Sequence, residues 1–443
     1  MYTHHFLVSK GYDLWFHGNI IIDSNESIKE LRILKKIIGT SSTANGTIAI
    51  FEANPPFKLK LSVRILHNRL WLKRIIFSFT LLCISCSIKA QEYVFAGSYN
   101  WDKDKPGIYV FKLDTVTGTL KHISTVDSVL NPGYLTVSAN GKYVYACTEA
   151  HTAGMGSVSS YVFDKVTGKL TFVNKQSSNG ENPVYVTTDR SNHWLINANY
   201  TEGSVSVYHL LADGSIAPAS QIIAFDGSSI NKERQDAAHI HAAVLSPLED
   251  HVFLPDLGSD VIRHYKFNNQ SARPLTEAQP SSLPTMPGSG PRHFTFHPDG
   301  KYCYCIEELA GYVSAYRYMD GSFTCIQRVA SHKHNAAKEH SSADIHVSPD
   351  GRFLYASNRG DENNIAIYKI EEKTGLVKLI GHQSTTGDHP RIFALSPSGK
   401  YLIVANQISG DIVVFRRNIK TGMLSKTGKE KVEGASCIHI VYY

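Results

Sequence analysis

The chain carries little net charge, has no Gly-x-Ser-x-Gly motif, and has no uninterrupted apolar run of bilayer-spanning length in its 443 residues. Each absence removes a class of protein. A formal charge of +6, evenly spread, suits a small anion but is too weak for a nucleic-acid surface. Without the nucleophile elbow, a covalent serine mechanism is disfavoured. Long Ala/Leu/Glu/Lys stretches are also missing, while 23 Tyr and 19 Phe favour strands over helices. Cys83 and Cys86 fall in a segment expected to be removed. The remaining Cys147, Cys303, Cys305, Cys325 and Cys437 specify neither a metal-ligand spacing nor a disulfide framework. Cys303 and Cys305 alternate with Tyr302 and Tyr304, so they share one face of a strand and read as packing.

Near the N-terminus, Lys73-Arg74 precedes an apolar stretch from Ile75 to Ile84, then Ser87-Ile88-Lys89-Ala90. A basic start, a short apolar core and a small residue at the cleavage point predict a signal peptide over 71–90, cut after Ala90, and hence an exported protein. Acylation at Cys86 is the lesser reading, because Cys83 stands where a Leu is expected. Residues 1–70 show no strand repeat and no Met after Met1, so they read as an extension upstream of the true start. The alternative is a small N-terminal domain joined by a membrane anchor. The functional domain is expected over 91–443, with no membrane span after cleavage.

What the sequence does contain is a repeat. A strand, a Ser-Pro-Asp-Gly-like turn and a second strand recur, most clearly at Arg292–Gly300, Asp344–Gly351 and Ile392–Gly399, with turn glycines 51 and 48 residues apart. Pro and Asp followed by Gly supply a fixed φ and then a positive one, which suits a hairpin. A second phrase, Asp-x-x-Thr-Gly-x-Leu or its Asn variant, appears at Asp114–Leu120, Asp164–Leu170 and Asn418–Leu424. Two hairpins per unit make a four-stranded antiparallel blade. Six units carry both phrases. A seventh is split between Tyr93–Ile123 and the C-terminal strand Cys437–Val441, and joining these hides two strand edges. The fold expected is all-β, a seven-bladed β-propeller with four-stranded antiparallel blades, closed by the C-terminal strand.

In such a blade the start of the innermost strand and the end of the next lie on one face of the ring. Blade 4 places His239 and His241 there; blade 5 places Arg292 and His293 with Glu307 and Glu308. Blade 6 adds Asp344, Asn358 and Arg359, and blade 7 adds His389 and Arg391. Reflection through Gly300 sets Glu308 directly opposite Arg292. Glu149, Asn199, Tyr200 and Asp256 fall at second-strand ends on the same rim, where they either line the channel or cap the blade structurally. Ester hydrolysis needs a base for water and a donor for the developing oxyanion, and arginine suits an anionic substrate. A His, two Arg and a Glu divide those roles without a cofactor. Plainer readings stand beside this one: Arg292–Glu308 as a buried ion pair, His241 as a core histidine, Arg359 as a surface residue. His239 and His241 share a face but lack a third ligand at fixed spacing, so no metal is expected. The stretch His332-Lys-His334…His340 reads as a solvated loop.

These residues carry a family likeness. His241 before Pro247, Pro255–Gly258, Gly290-Pro-Arg-His293, Glu308-Leu309 and Asn358-Arg359 resemble the lactonase β-propeller family, which includes propeller-type 6-phosphogluconolactonases and a carboxy-muconate lactonizing enzyme. The resemblance covers 91–443. It implies hydrolysis of a sugar-type δ-lactone, with a catalytic set of His241, Arg292, Glu308 and Arg359, of which Arg292 and Arg359 bind the anion and oxyanion. Glu308 or His241 would activate water. Asn199 and Tyr200 are candidate hydroxyl-binding groups, and the small-molecule lactone is the only partner expected of a monomer. One departure is Tyr185, where many relatives have His. Alternatives on the same scaffold are a muconate-type cycloisomerase and a non-enzymatic binding propeller; a catalytic propeller should gather the four residues into one site.

Overall fold

In a computed structural model, the residues described are 91–100, 102, 104–148, 156–333 and 341–443, with the backbone of 47–49 and 63–65. The chain divides into two compact units, Met1–Lys89 and Ala90–Tyr443. In the first, Thr47–Ala49 and Val63–Ile65 form a short antiparallel pair. The expected signal peptide over 71–90, Cys86, Glu149, His334 and His340 lie outside the described residues.

The second unit consists of seven four-stranded antiparallel sheets. Alternating apolar residues bury both faces of the inner strands, as in Trp194–Asn199 and Phe353–Asn358, where every residue is buried. Side chains between neighbouring blades form the core. Tyr302, Tyr304 and Ile306 of blade 5 pack with Ile345, Leu354 and Tyr368 of blade 6. Cys303 and Cys305 point the other way, toward Phe253 and Ile262 of blade 4. Each large side chain so buried contributes about 1.5–3 kcal/mol.

The two repeated phrases fold as their chemistry dictates. In the inner hairpins Gly300, Gly351 and Gly399 adopt φ of 72°, 69° and 66°. In the outer hairpin of blade 1, Asp114 Oδ1 accepts the amides of Val116 and Thr117, and Gly118 turns at φ 79°. Those outer turns also join blades. Tyr93, Tyr302, Tyr304 and Tyr355 donate their hydroxyls to backbone oxygens of Lys165, Lys373, Gly375 and Gly422 in the next blade's turn, at 2.7–2.9 Å.

Ring closure is as expected. Ala435–Tyr442 pairs with Glu92–Ser98 as the innermost strand of blade 1, followed by Pro106–Leu113 and Leu120–Asp127.

One feature of the inner strands was not anticipated. In six blades the register between the first and second strands slips near the rim, at Pro132/Tyr134, Pro183/Tyr185, Pro291/His293, Ser342/Ile345, Pro390/Ile392 and Gly97/Ser98. Blade 4 loses most of its inner ladder, keeping Val244–Leu245 and a bridge between Ile240 and Asp256. A bulge re-aims the side chain of its extra residue. The positions so affected include Arg292 and Arg391, and the register puts His241 at the matching place in blade 4. Arg292 is therefore not directly opposite Glu308: Pro291 faces Glu307, and Arg292 is the bulged residue.

Candidate active site

Rim residues of blades 3 to 7 converge around one carboxylate. Glu308, nearly fully buried, meets Arg234 through Oε1 at 2.7 Å, and its Oε2 lies 2.9 Å from Arg292 Nε and 3.1 Å from Arg359 Nη2. Burial alone would raise the carboxyl pKa; Arg359, Arg292 and Arg234 more than reverse this and bring it down to about 2. The group is an anion at any neutral pH.

Arg292 is completely buried. Nη1 donates to the carbonyl of Ala343, while Nε and Nη2 have no aligned hydrogen bond despite the contact with Glu308. Burial and the neighbouring Arg359 lower its pKa to about 9, so it stays charged at pH 7. Arg359 donates to the carbonyls of Ser341 and Ser342 and approaches His389 Nε2 at 3.4 Å. His389 is held to about 4 by burial and then by Arg359 and Arg391, so it is neutral and accepts that bond.

His241 sits beside this cluster, buried, with its ring edge-on to Tyr200 at 5.3 Å and to His293 at 5.3 Å. Burial first, then Arg292, His293 and Arg391, push its pKa well below the usual histidine range. It is a neutral imidazole whose Nδ1 has no hydrogen-bond partner. The structure thus brings His241, Arg292, Glu308 and Arg359 together, with Tyr200 on the same wall 3.4 Å from Arg234.

Asn199 does not join them. It is fully buried, with Nδ2 donating to the Ser178 carbonyl and to Ser204 Oγ, and Oδ1 accepting from Asn197. In blades 3 to 7 the last residue of the second strand has this structural task, as Asn406 does through its bond to Asp411. Asp256 pairs with Arg263, Glu307 with Arg328, and Asn358 bonds to Ser331 and Asn364. The residue after it (Tyr200, Glu308 or Arg359) is the one that reaches the rim. His239 lies flat on Tyr200 at 4.5 Å and bonds through Nδ1 to the Tyr200 carbonyl. His332, expected in a solvated loop, is buried against Ser342 Oγ.

Two arginines near this cluster were not in the expected catalytic set: Arg391, expected on the rim without a role, and Arg234, not expected there at all. Arg234 comes from the segment between blades 3 and 4, where no repeat or alternation marks it; an Asn231 turn presents it, with Asn231 Oδ1 accepting the Arg234 amide. Arg391 occupies the same bulge position as Arg292, so the blade phrase contained its signal. It lies over the Tyr99 ring at 5.1 Å.

Three guanidinium groups thus surround one carboxylate, and Arg391 adds a fourth positive charge beside Arg292 and Arg359, an excess that favours an anion or a developing oxyanion. The family model for lactonases with a seven-bladed β-propeller matches residues 93–440. A 6-phosphogluconolactonase of Formosa agariphila is 42% identical over 354 residues, 79% of this chain and 99% of the relative. One from Bacillus subtilis is 35% identical, covering 72% of this chain and 89% of its own length. The solved structure of the Pseudomonas aeruginosa periplasmic gluconolactonase superposes with a TM-score of 0.75 at 30% identity, covering 79% of this chain and 99% of that one. The chain belongs to the seven-bladed β-propeller lactonase family.

Proposed function

We propose that this protein hydrolyses a sugar-type δ-lactone, with His241 activating water and Arg292 and Arg359 stabilising the oxyanion. The observation that carries this reading is the pairing of a neutral, buried histidine with an arginine cluster whose carboxylate is already saturated. Glu308, facing three guanidinium groups, is too weak a base to take a proton from water. It instead holds the arginines in place. His241 is the remaining acceptor; burial is the main cause of its lowered basicity, and an anionic substrate offsets the smaller contribution of Arg292 and Arg391.

In the addition step the water O–H bond breaks, its proton passes to His241, and the new C–O bond forms at the lactone carbonyl. The carbonyl electron pair moves to the oxygen facing the arginines. Collapse breaks the ring C–O bond, and the imidazolium returns its proton to the leaving alkoxide. One preorganised donor in such a site accounts for roughly 100- to 1,000-fold in kcat.

Tyr200 and Arg234 form the outer wall, where sugar hydroxyls or a phosphate would bind. Export through the segment 71–90 would expose the enzyme to unphosphorylated aldonolactones, and the similarity to a periplasmic gluconolactonase supports this. The test is hydrolysis of 6-phosphogluconolactone and of glucono-δ-lactone by residues 91–443, beside Arg292→Ala and His241→Ala. Turnover above the spontaneous rate, lost in both variants, is expected. No turnover of either lactone by folded protein overturns the proposal for these substrates.

A further inference from the structure

Beneath His241 the inner strands of blades 5 and 6 carry a second polar layer. His293 Nδ1 lies 2.7 Å from Asp344 Oδ1. Asp344 is almost completely buried and accepts three more bonds, from the amides of Ile345 and Phe393 at 3.0 Å and from His346 Nε2 at 2.9 Å. A carboxylate so saturated is ionised and fixed in position. It forces the proton of a neutral His293 onto Nδ1 and leaves Nε2 as a lone pair. That Nε2 is buried and without a hydrogen-bond partner, as is Nδ1 of His241. The two rings are adjacent, with centroids 5.3 Å apart and planes at 67°. Tyr134 and Tyr185 close the other side, each edge-on to His293.

Two buried, unpartnered ring nitrogens on neighbouring imidazoles are costly to leave unpaired. They are also complementary if one is a donor and the other an acceptor. We propose that Asp344 and His293 are positioning residues that fix the tautomer of His241: Asp344 holds the His293 proton on Nδ1, the His293 Nε2 lone pair accepts from His241 Nδ1–H, and His241 Nε2 is left as the base. Neither nitrogen meets the other in hydrogen-bonding geometry, so the link between the rings runs through one bridging water. When His241 takes a proton from water on Nε2, the positive charge is shared along the chain toward Asp344. No proton needs to leave the site, since His241 returns it to the leaving alkoxide. The inference rests on the hydrolytic reading of His241, but its tautomer claim does not depend on activity. It also gives the long-range bonds of Asp344, which join blades 5, 6 and 7, a second purpose besides holding the ring.

Imidazole-nitrogen NMR of the histidine-labelled protein at neutral pH tests it, with His241 and His293 assigned by His241→Phe and His293→Phe. The expected result is Nδ1–H on both rings. A proton on Nε2 of His241, or on Nε2 of His293, overturns the proposal without reference to any substrate. Kinetics add a second readout. Asp344→Asn is expected to lower kcat by roughly 100-fold with KM within about twofold, and Asp344→Glu to recover part of that loss. A folded Asp344→Asn protein with wild-type kcat would also overturn it. An enzyme inactive on every lactone, but with both protons on Nδ1, would count against the lactonase reading alone.

Discussion

Glu308 and Arg234 meet at 2.7 Å although they come from opposite kinds of structure, one from the end of a regular strand and the other from a loop without repeat. The contact makes Glu308 a hub for three arginines, from blade 5, blade 6 and the segment between blades 3 and 4. Glu308→Gln should therefore fail in two ways. It leaves Arg292 and Arg359 buried without their counter-charge, a loss of about 3–5 kcal/mol. It also loosens the arginines proposed to stabilise the oxyanion, so kcat should fall. Thermal unfolding of the variant should drop by several degrees, while Glu308→Asp, which keeps the charge, retains more stability than the Gln variant.

Acid sensitivity follows in two windows. His293, His389 and His439 are held near 4 by burial, below their ordinary 6.5. The unfolded chain binds protons on these groups first, so stability falls as pH drops from about 6.5 to about 4. Glu308, lowered from 4.5 to about 2, contributes stability that is full above about 4.5 and lost as pH falls through about 2. That second contribution is on the order of 3 kcal/mol. Urea midpoints across this pH range check the sequence of losses: a midpoint constant between pH 7 and 4 would refute the histidine part.

The outer turns predict a stability effect remote from the site. Gly422 turns at φ +75°, and a Cβ there would stand 2.3 Å from the Phe353 ring. Gly422→Ala should cost about 1–3 kcal/mol through strain and overpacking, with kcat unchanged. Differential scanning calorimetry beside a kinetic assay separates the two outcomes.

The blades and their closure were legible because alternation, turn glycines and a leftover strand all point to one ring. The rim was legible one residue less finely. Simple reflection through Gly300 assumed a perfect ladder, and the bulge at Arg292 broke it; the side chain still reaches Glu308 because arginine is long. Asn199 and Tyr200 are neighbours on one strand end, and period-two alternation sends them to different places, one into the wall and one to the rim. Arg234 had no pattern to betray it, since its position depends on a loop that packs only in the folded ring.

Arg234 also offers the sharpest test of substrate class. Its side chain is about half exposed, whereas Arg292 and Glu308 are buried, so it is the site arginine with the most freedom to leave its partner for a ligand. Burial opposes its charge, yet Glu308 and Tyr200 raise its pKa above the usual arginine value, so it is cationic under all assay conditions. If the sugar end of the substrate carries phosphate, Arg234 meets it, and Arg234→Ala should raise KM for 6-phosphogluconolactone by roughly 10-fold. For glucono-δ-lactone, which offers no anion there, KM should move by less than about twofold, and kcat should hold because Arg292 and Arg359, the arginines proposed to stabilise the oxyanion, are untouched. Equal losses on both lactones would mean that Arg234 acts through Glu308 and not through the substrate. In that event the same pair of substrates against Arg391→Ala would test whether this neighbouring rim arginine makes the discrimination instead.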